Sequence, residues 1–389
     1  MTHPLHAASL DMLGRLIAFD TTSALSNLEL IAFIRAYLAE RGVESRLVHD
    51  ATGQKANLFA TIGPRDRAGV ALSGHTDVVP VAGQSWASDP FRAVIRDGRL
   101  HGRGACDMKG FIACALVMLD SFLEKPLATP IHYAFTYDEE VGCYGVRTLI
   151  DSFREHAPKP RLAIVGEPTD MLPVNRHKGA CSFRCTIRGV EAHSSKPHLG
   201  ANANMAAGKL IAKIAEMVEE FRAKPSADTD FEPPYTTFNV GMMNGGTAPN
   251  IIPNHAEFRW EARCVPEDDP AEIGRRLEAY ANTVVLPWLK AQHNAAEIVM
   301  ETVNTLPGLL ADPDGEAETL VRRLTGKNIA GAVPYGTEGG LFQRAGIPAV
   351  IIGPGSIDQA HQADEFVSLE QMDLCLDFLD KLMAECRAG

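Results

Sequence analysis

At 389 residues, with 46% hydrophobic and 22% charged content, the chain has the composition of a soluble globular protein long enough for two domains with their own cores. Its net charge of −12, from 37 basic against 49 acidic residues, argues against a nucleic-acid or anionic-membrane partner, which would want a basic face. No apolar run approaches the roughly 20 residues a membrane span needs, and residues 1–9 are read as carrying no secretion signal.

In chain order, Leu10, Leu13, Leu16 and Ile17 recur at helical spacing after Ser9, which is expected to cap an opening helix. Asn27 is expected to cap a second helix over residues 28–41, with Leu30, Ile31, Ile34 and Leu38 on one face and Gly42 as its stop. Residues 43–48, 57–62 and 70–73 read as strands. Helices and apolar strands then alternate as far as Glu167, the pattern of an α/β domain with a mixed, mostly parallel sheet flanked by helices.

Beyond Glu167 the texture changes. A strand over 180–188, a helix over 201–221, strands over 236–242 and 256–263, a helix over 270–290 and a closing strand over 297–303 have the order of a small α+β two-layer domain. The chain is therefore read as a first domain over 1–178 and 305–389, interrupted by an inserted domain over 179–304. The eight cysteines include no Cys-x-x-Cys pair, and Cys114 and Cys375 sit in apolar runs, so a reducing, cytoplasmic setting is expected. Cys181 and Cys185 bracket a strand-like Ser182-Phe183-Arg184 and are read as structural.

Acid and imidazole groups gather where strands stop. Gly74-His75-Thr76-Asp77 follows the apolar run 70–72, and ligand crevices open at such strand ends. Asp107 stands in the glycine-rich turn 102–110 before a helix-like run. Glu139 and Glu140 follow the strand-like 131–136, and Glu167 follows 162–165. His361 comes after 349–352 and the turn Gly353-Pro354-Gly355. A lone His-x-Asp is more often a satisfied histidine at a strand end. Two histidines with three carboxylates from separate strand ends, however, suit a pair of divalent metals, one carboxylate bridging them.

Taken in order, Gly74-His75-Thr76-Asp77, Gly102-Arg103-Gly104 with Asp107-Met108-Lys109-Gly110, Asp138-Glu139-Glu140, Gly166-Glu167-Pro168 and His361 resemble the two-zinc amidohydrolases, the family that includes aminoacylase, succinyl-diaminopimelate desuccinylase and glutamate carboxypeptidase. The resemblance runs nearly end to end. Residues 165–169, 336–342 and 353–361 resemble the acetylornithine deacetylase branch most.

That resemblance implies roles. His75, Asp107 and Glu167 would hold one metal and Asp107, Glu140 and His361 the other, with zinc expected and cobalt or manganese also accepted by such ligands. Glu139 would be the general base, and Asp77 would orient His75. His193, in the inserted domain, would reach the active site of a second subunit and donate to the tetrahedral oxyanion, which implies a homodimer. Asn250 matches a substrate-contacting position, and Arg263 an arginine that clamps the substrate α-carboxylate.

Glu338 lies in a loop the family places along the substrate pocket. There it either favours a substrate ammonium or hydrogen-bonds the backbone of its own turn. The reaction the resemblance implies is removal of the acetyl group from N-acetyl-L-ornithine. Alternatives are another N-acyl amino acid such as acetylcitrulline or succinyl-diaminopimelate, a dipeptide-cleaving metallopeptidase, or a non-catalytic module. The last is disfavoured because every ligand position and Glu139 are present.

Overall fold

Strand Val70–His75 is buried along its whole length and lies inside an eight-stranded sheet. The strand order is Ser45–His49, Ala56–Ile62, Ile131–Thr136, Val70–His75, Leu162–Val165, Ala349–Ile351, Val174–His177, Gly331–Val333. The four strands from Ile131–Thr136 to Ala349–Ile351 run parallel to their neighbours in that series, and the strands flanking them on either side pair antiparallel. Parallel strands buried on both faces need apolar runs such as Leu162-Ala163-Ile164-Val165, each residue of which is buried. This computed structural model describes residues 2–155, 159–227 and 230–388.

The chain divides into two units. The first comprises Met1–Arg176, Leu310–Gly331 and Thr337–Gly389, the second His177–Leu309 and Ala332–Gly336. The excursion over residues 332–336 has no signal in the periodicity.

In the first unit, every residue of helix Lys109–Val117 is buried, with His6–Ile17 and Leu369–Ala388 packed against it. A helix apolar all round is stable only when enclosed in this way.

Two expected caps are not made. Ser9 lies inside helix His6–Ile17, its hydroxyl donating to the His6 carbonyl at 2.8 Å. Asn27 precedes helix Leu28–Ala39 but makes no side-chain cap bond. Its amide donates instead to the Ala56 carbonyl and to Thr76 Oγ1, each at 2.9 Å, and its oxygen accepts from the Ala56 N–H. Gly42, at φ 73°, follows the helix end in the left-handed region that favours glycine.

The second unit is an antiparallel four-stranded sheet in the order Thr237–Gly245, His255–Cys264, Gly179–Arg188, Glu297–Leu306. Strict alternation of buried and less buried residues in Gly179–Arg188 and His255–Cys264 gives the sheet one apolar face. That face packs Phe183, Cys185, Phe258 and Trp260 against Leu210 and Ile214 of helix Ala203–Arg222 and Leu277 of helix Pro270–Tyr280. Phe183 and Trp260 are cross-strand partners with ring centroids 4.4 Å apart. All eight cysteines are free and buried. Among the described residues no helix is long and apolar enough to cross a membrane.

Candidate metal centre

The parallel strands deliver their acids and imidazoles to one end of the sheet. His75 ends strand Val70–His75, and Glu167 stands two residues beyond Leu162–Val165. Glu139 and Glu140 follow Ile131–Thr136 by a short turn, and Asp107 precedes helix Lys109–Val117. All of these come together. His75 Nε2 is 2.9 Å from Asp107 Oδ1 and 3.9 Å from Glu167 Oε1. His361 Nε2 is 3.0 Å from Asp107 Oδ2 and 3.0 Å from Glu140 Oε2. Asp107 thus turns one oxygen to each histidine, the disposition a bridging carboxylate requires.

Ligand atoms of His75, Glu139 and Glu167, and separately of His75, Asp107 and Glu140, also lie within 4.8 Å of one another. These groupings are drawn differently from the sets implied by family resemblance, since Glu139 stands as close to His75 and Glu167 as a ligand would. His361 contacts Asp107 and Glu140 directly, and Asp107 contacts both histidines.

The donor chemistry fits divalent cations. Four carboxylates and two imidazoles, of which His75, Asp107 and Glu167 are buried, gather excess negative charge where water shields it poorly. Burial and the charges of its acidic neighbours push Glu167 well above the usual carboxylate range. Burial and the charge of Asp107 bring Glu140 to about 7. Glu139 is also pushed well up, by burial and by Glu140 and Asp107, against the opposing pull of His75. Asp107 goes the other way: burial works against its ionisation, but hydrogen bonds from His361 and His75 hold it below the ordinary range. Its bonds to Asp107 and Glu140 raise His361 to about 10 against the opposing effect of burial. Cations among these oxygens would keep all four acids ionised and both imidazoles neutral.

Asp77 is placed otherwise than expected. The ring N–H at His75 Nδ1 meets the main-chain carbonyl of Asp77 at 2.9 Å, whereas the Asp77 carboxylate is 3.7 Å away. That carbonyl sets the tautomer and leaves Nε2 for a metal. The carboxylate accepts instead from the backbone N–H groups of Glu139 (3.1 Å) and Glu140 (3.3 Å) and from Ser23 Oγ (2.7 Å). It clamps the turn that carries Glu139 and Glu140. Lys55 adds to this by donating to Asp138 Oδ1 at 2.5 Å, and the Cys143 thiol donates to Glu139 Oε1 at 3.3 Å.

Glu338 meets side chains of the sheet. It is 1% exposed, and its carboxylate accepts from Ser73 Oγ at 2.8 Å and Thr136 Oγ1 at 2.6 Å, on two neighbouring strands. Burial raises it to about 7 against the opposing effect of these two donors.

The second unit holds the remaining candidates. Strand Ala192–His193 pairs with Ile251–Ile252, and the Ser194 N–H donates to the Asn250 carbonyl at 3.0 Å, so His193 and Asn250 are neighbours. His193 Nδ1 accepts from the Ser195 N–H at 3.2 Å, which leaves the ring proton on Nε2, the tautomer of a hydrogen-bond donor. Beside this turn lies a cleft of about 1110 Å³ lined by Ser194, Asn204, Thr247, Ile251 and Trp288 among others. Arg263 stands near the far end of strand His255–Cys264, on the open face, paired with Glu261 at 3.1 Å. Eight residue steps of extended strand separate it from His255, roughly 27 Å.

Sequence reasoning missed Ser23, Lys55, Gln84, Cys143 and Glu365. Only Glu365, an acid four residues after His361, carried any signal.

Residues 71–385 match the peptidase family M20/M25/M40. The chain is 36% identical over 382 residues to an acetylornithine deacetylase of Myxococcus xanthus, covering 97% of each chain. It is 32% identical to that of Pasteurella multocida, covering 98% of each. Among solved structures, a tripeptidase from Staphylococcus aureus aligns with a TM-score of 0.75 over 100% of both chains at 20% identity. A dinuclear metal-binding peptidase of the M20 family from Bacillus subtilis aligns at 0.66 over 99% of both chains at 18% identity. The chain belongs to peptidase family M20/M25/M40, as a metal-dependent amidohydrolase similar over nearly its whole length to acetylornithine deacetylases.

Proposed function

We propose that the protein removes the acetyl group from N-acetyl-L-ornithine to give L-ornithine and acetate, a step of arginine biosynthesis in the cytoplasm. The observation that carries the reading is the meeting of His75, Asp107, Glu140, Glu167 and His361 around Asp107, with Glu139 beside them. The names of relatives at 31–36% identity support the choice of acetylornithine within that chemistry. Dipeptide cleavage is the second reading, and the peptidases with the same fold leave it as an outcome of the test.

His75, Asp107 and Glu167 would hold one divalent ion and Asp107, Glu140 and His361 the other, zinc being the expected metal and cobalt or manganese its substitutes. When bound, the pair would supply an acidified water and a Lewis acid for the amide carbonyl. Glu139, ionised beside them, takes the proton of the attacking water and returns it to the leaving amine. Asp77 holds Glu139 in place through the backbone N–H bonds described above. Arg263 exchanges its Glu261 partner for the substrate α-carboxylate, a two-oxygen acceptor its planar fork matches.

His193 donates its Nε2 proton to the developing oxyanion, with Asn250 alongside. A small N-acyl amino acid is too short to span the strand length that separates His193 and Asn250 from Arg263 in one second unit. A site that uses all three therefore draws them from two copies, and the protein acts as a homodimer. The exposed Met242 (53%) on edge strand Thr237–Gly245 and Met205 (63%) on helix Ala203–Arg222 give such a dimer apolar surface to bury.

The test is steady-state kinetics on acetylornithine, acetylcitrulline, acetylmethionine, succinyl-diaminopimelate and a dipeptide, with zinc or cobalt added. Acetylornithine is expected to give the highest kcat/KM. A higher value for any other substrate moves the assignment to that substrate.

A further inference from the structure

His361 stands apart from the other metal-ligand candidates. His75, Asp107 and Glu167 are at most 5% exposed and sit at the ends of regular elements. The His361 side chain is 51% exposed, its φ is 63°, and it lies on the long connection between strands Ala349–Ile351 and Phe366–Ser368, where the one helical piece is the three-residue turn Ile357–Gln359. A ring on such a segment keeps Nε2 at 3.0 Å from both Asp107 and Glu140 only if its main chain is tethered.

Gln84 supplies the tether. Its Nε2 donates to the His361 carbonyl at 2.7 Å. Its Oε1 accepts from Arg103 Nη2 at 2.6 Å and from the Trp86 indole N–H at 3.1 Å. Two donors on one side of the amide settle its orientation, since a flipped amide would set N–H against N–H. Arg103 is itself 1% exposed, and its guanidinium lies 5.1 Å from the centre of the Trp86 ring. Its Nη1 donates to Glu365 Oε2 at 2.6 Å. The other oxygen of Glu365 accepts the N–H groups of Cys106 at 2.9 Å and Asp107 at 3.1 Å. An unbroken chain of hydrogen bonds thus runs from the main chain at His361, through Gln84, Arg103 and Glu365, to the main chain at Asp107.

We infer that Gln84 is a positioning residue for the metal held by Asp107, Glu140 and His361: it fixes the His361 segment to the Asp107 turn and so sets the affinity of that ion and not of its neighbour. The inference rests on the two-metal reading given above. Partners of this kind, one bond removed from a ligand, typically change metal affinity by about 10- to 100-fold.

The test titrates chelator-stripped protein with Co²⁺, following d–d absorbance and calorimetric heat, in wild type and two variants. Gln84→Glu keeps the size and the acceptor for Arg103 and Trp86 but turns an oxygen toward the His361 carbonyl. Gln84→Met removes both functions without adding charge. Two ions are expected to bind wild type. In both variants one binding event should weaken about tenfold or more while the other stays within about twofold. Unchanged events in both variants would overturn the inference, as would equal weakening of both events with a lowered melting temperature, which would make Gln84 a general scaffold residue. If wild type itself binds fewer than two ions, the two-metal reading falls, an outcome distinct from wild-type-like variants.

Discussion

Half-buried Glu139 and fully buried Glu338 are both carboxylates held above their ordinary range, yet their surroundings assign them different work. Glu139 has the thiol of Cys143 on one oxygen and the metal-ligand cluster around it. Glu139→Gln keeps the shape but cannot take a proton, so kcat should fall about 10²-fold or more while two metals per chain remain. Activity within a few-fold of wild type, with both metals present, would remove Glu139 from the role of base. Glu338 has its oxygens on Ser73 and Thr136, so Glu338→Gln should lower kcat/KM for acetylornithine and acetylmethionine alike. A loss confined to acetylornithine would return Glu338 to the substrate pocket. Its titration gives a second check. Burial raises it from 4.5 to about 7 in the folded chain, so its contribution to stability is complete below 4.5 and is lost as pH rises through about 7. Glutamine does not titrate. In chelated protein the stability of Glu338→Gln relative to wild type should therefore improve between about pH 4 and pH 8, by on the order of 3 kcal/mol. A pH-independent difference in urea denaturation would show that burial does not raise this carboxyl.

Among elements, the close approach of helix Lys109–Val117 to the strand ends is what brings the ligands together, and one glycine permits it. A Cβ on Gly166 would lie 2.1 Å from ring atoms of Phe111 in that helix. Gly166 also donates its N–H to the Ser73 carbonyl at 3.0 Å, next to Glu167. Gly166→Ala should thus force Phe111 and the helix away, costing about 1 to 3 kcal/mol and weakening metal binding through Glu167. Adding Phe111→Leu should recover part of both losses, because the two residues share one space. Additive effects in the double variant would mean that they do not meet. Such elements were legible in the sequence: runs like residues 70–72 and 162–165 are too apolar for anything but buried strands, and the acids after them mark the strand ends. The strict alternation of residues 180–188 likewise announced the second sheet. The side-chain partners were not legible. Asn27 looked like a cap because caps are local, but its bonds reach Ala56 and Thr76. Gln84 and His361 are separated by 277 residues, and Glu338 and Ser73 by 265. No period or local turn chemistry encodes pairings that only the folded sheet creates.

For the whole molecule, the question is whether one chain holds a complete site. His193 and Asn250 lie together beyond one end of strand His255–Cys264, and Arg263 near the other. The proposed dimer answers this by bringing His193 of one chain to the metal ligands of the other. His193 is exposed and bonded locally through Ser195, so His193→Ala should leave folding, metal content and oligomeric state unchanged while lowering kcat, by about 10²-fold if the ring donates to the oxyanion as an oxyanion-hole donor does. Glu139→Gln should be inactive for an unrelated reason. Once the two inactive homodimers are mixed under conditions that exchange subunits, half of the chains at random assortment sit in hybrid dimers. In each hybrid, one of the two sites combines the intact Glu139 of the His193→Ala chain with the intact His193 of its partner. Activity should therefore climb from near zero toward about a quarter of wild type, the fraction of sites made whole when equal amounts recombine freely, and its rise should follow the exchange rate measured with labelled subunits. If exchange is complete by label and activity stays at the level of the separate variants, His193 serves its own chain or none. The strand length between it and Arg263 would then have to be closed by a different substrate pose.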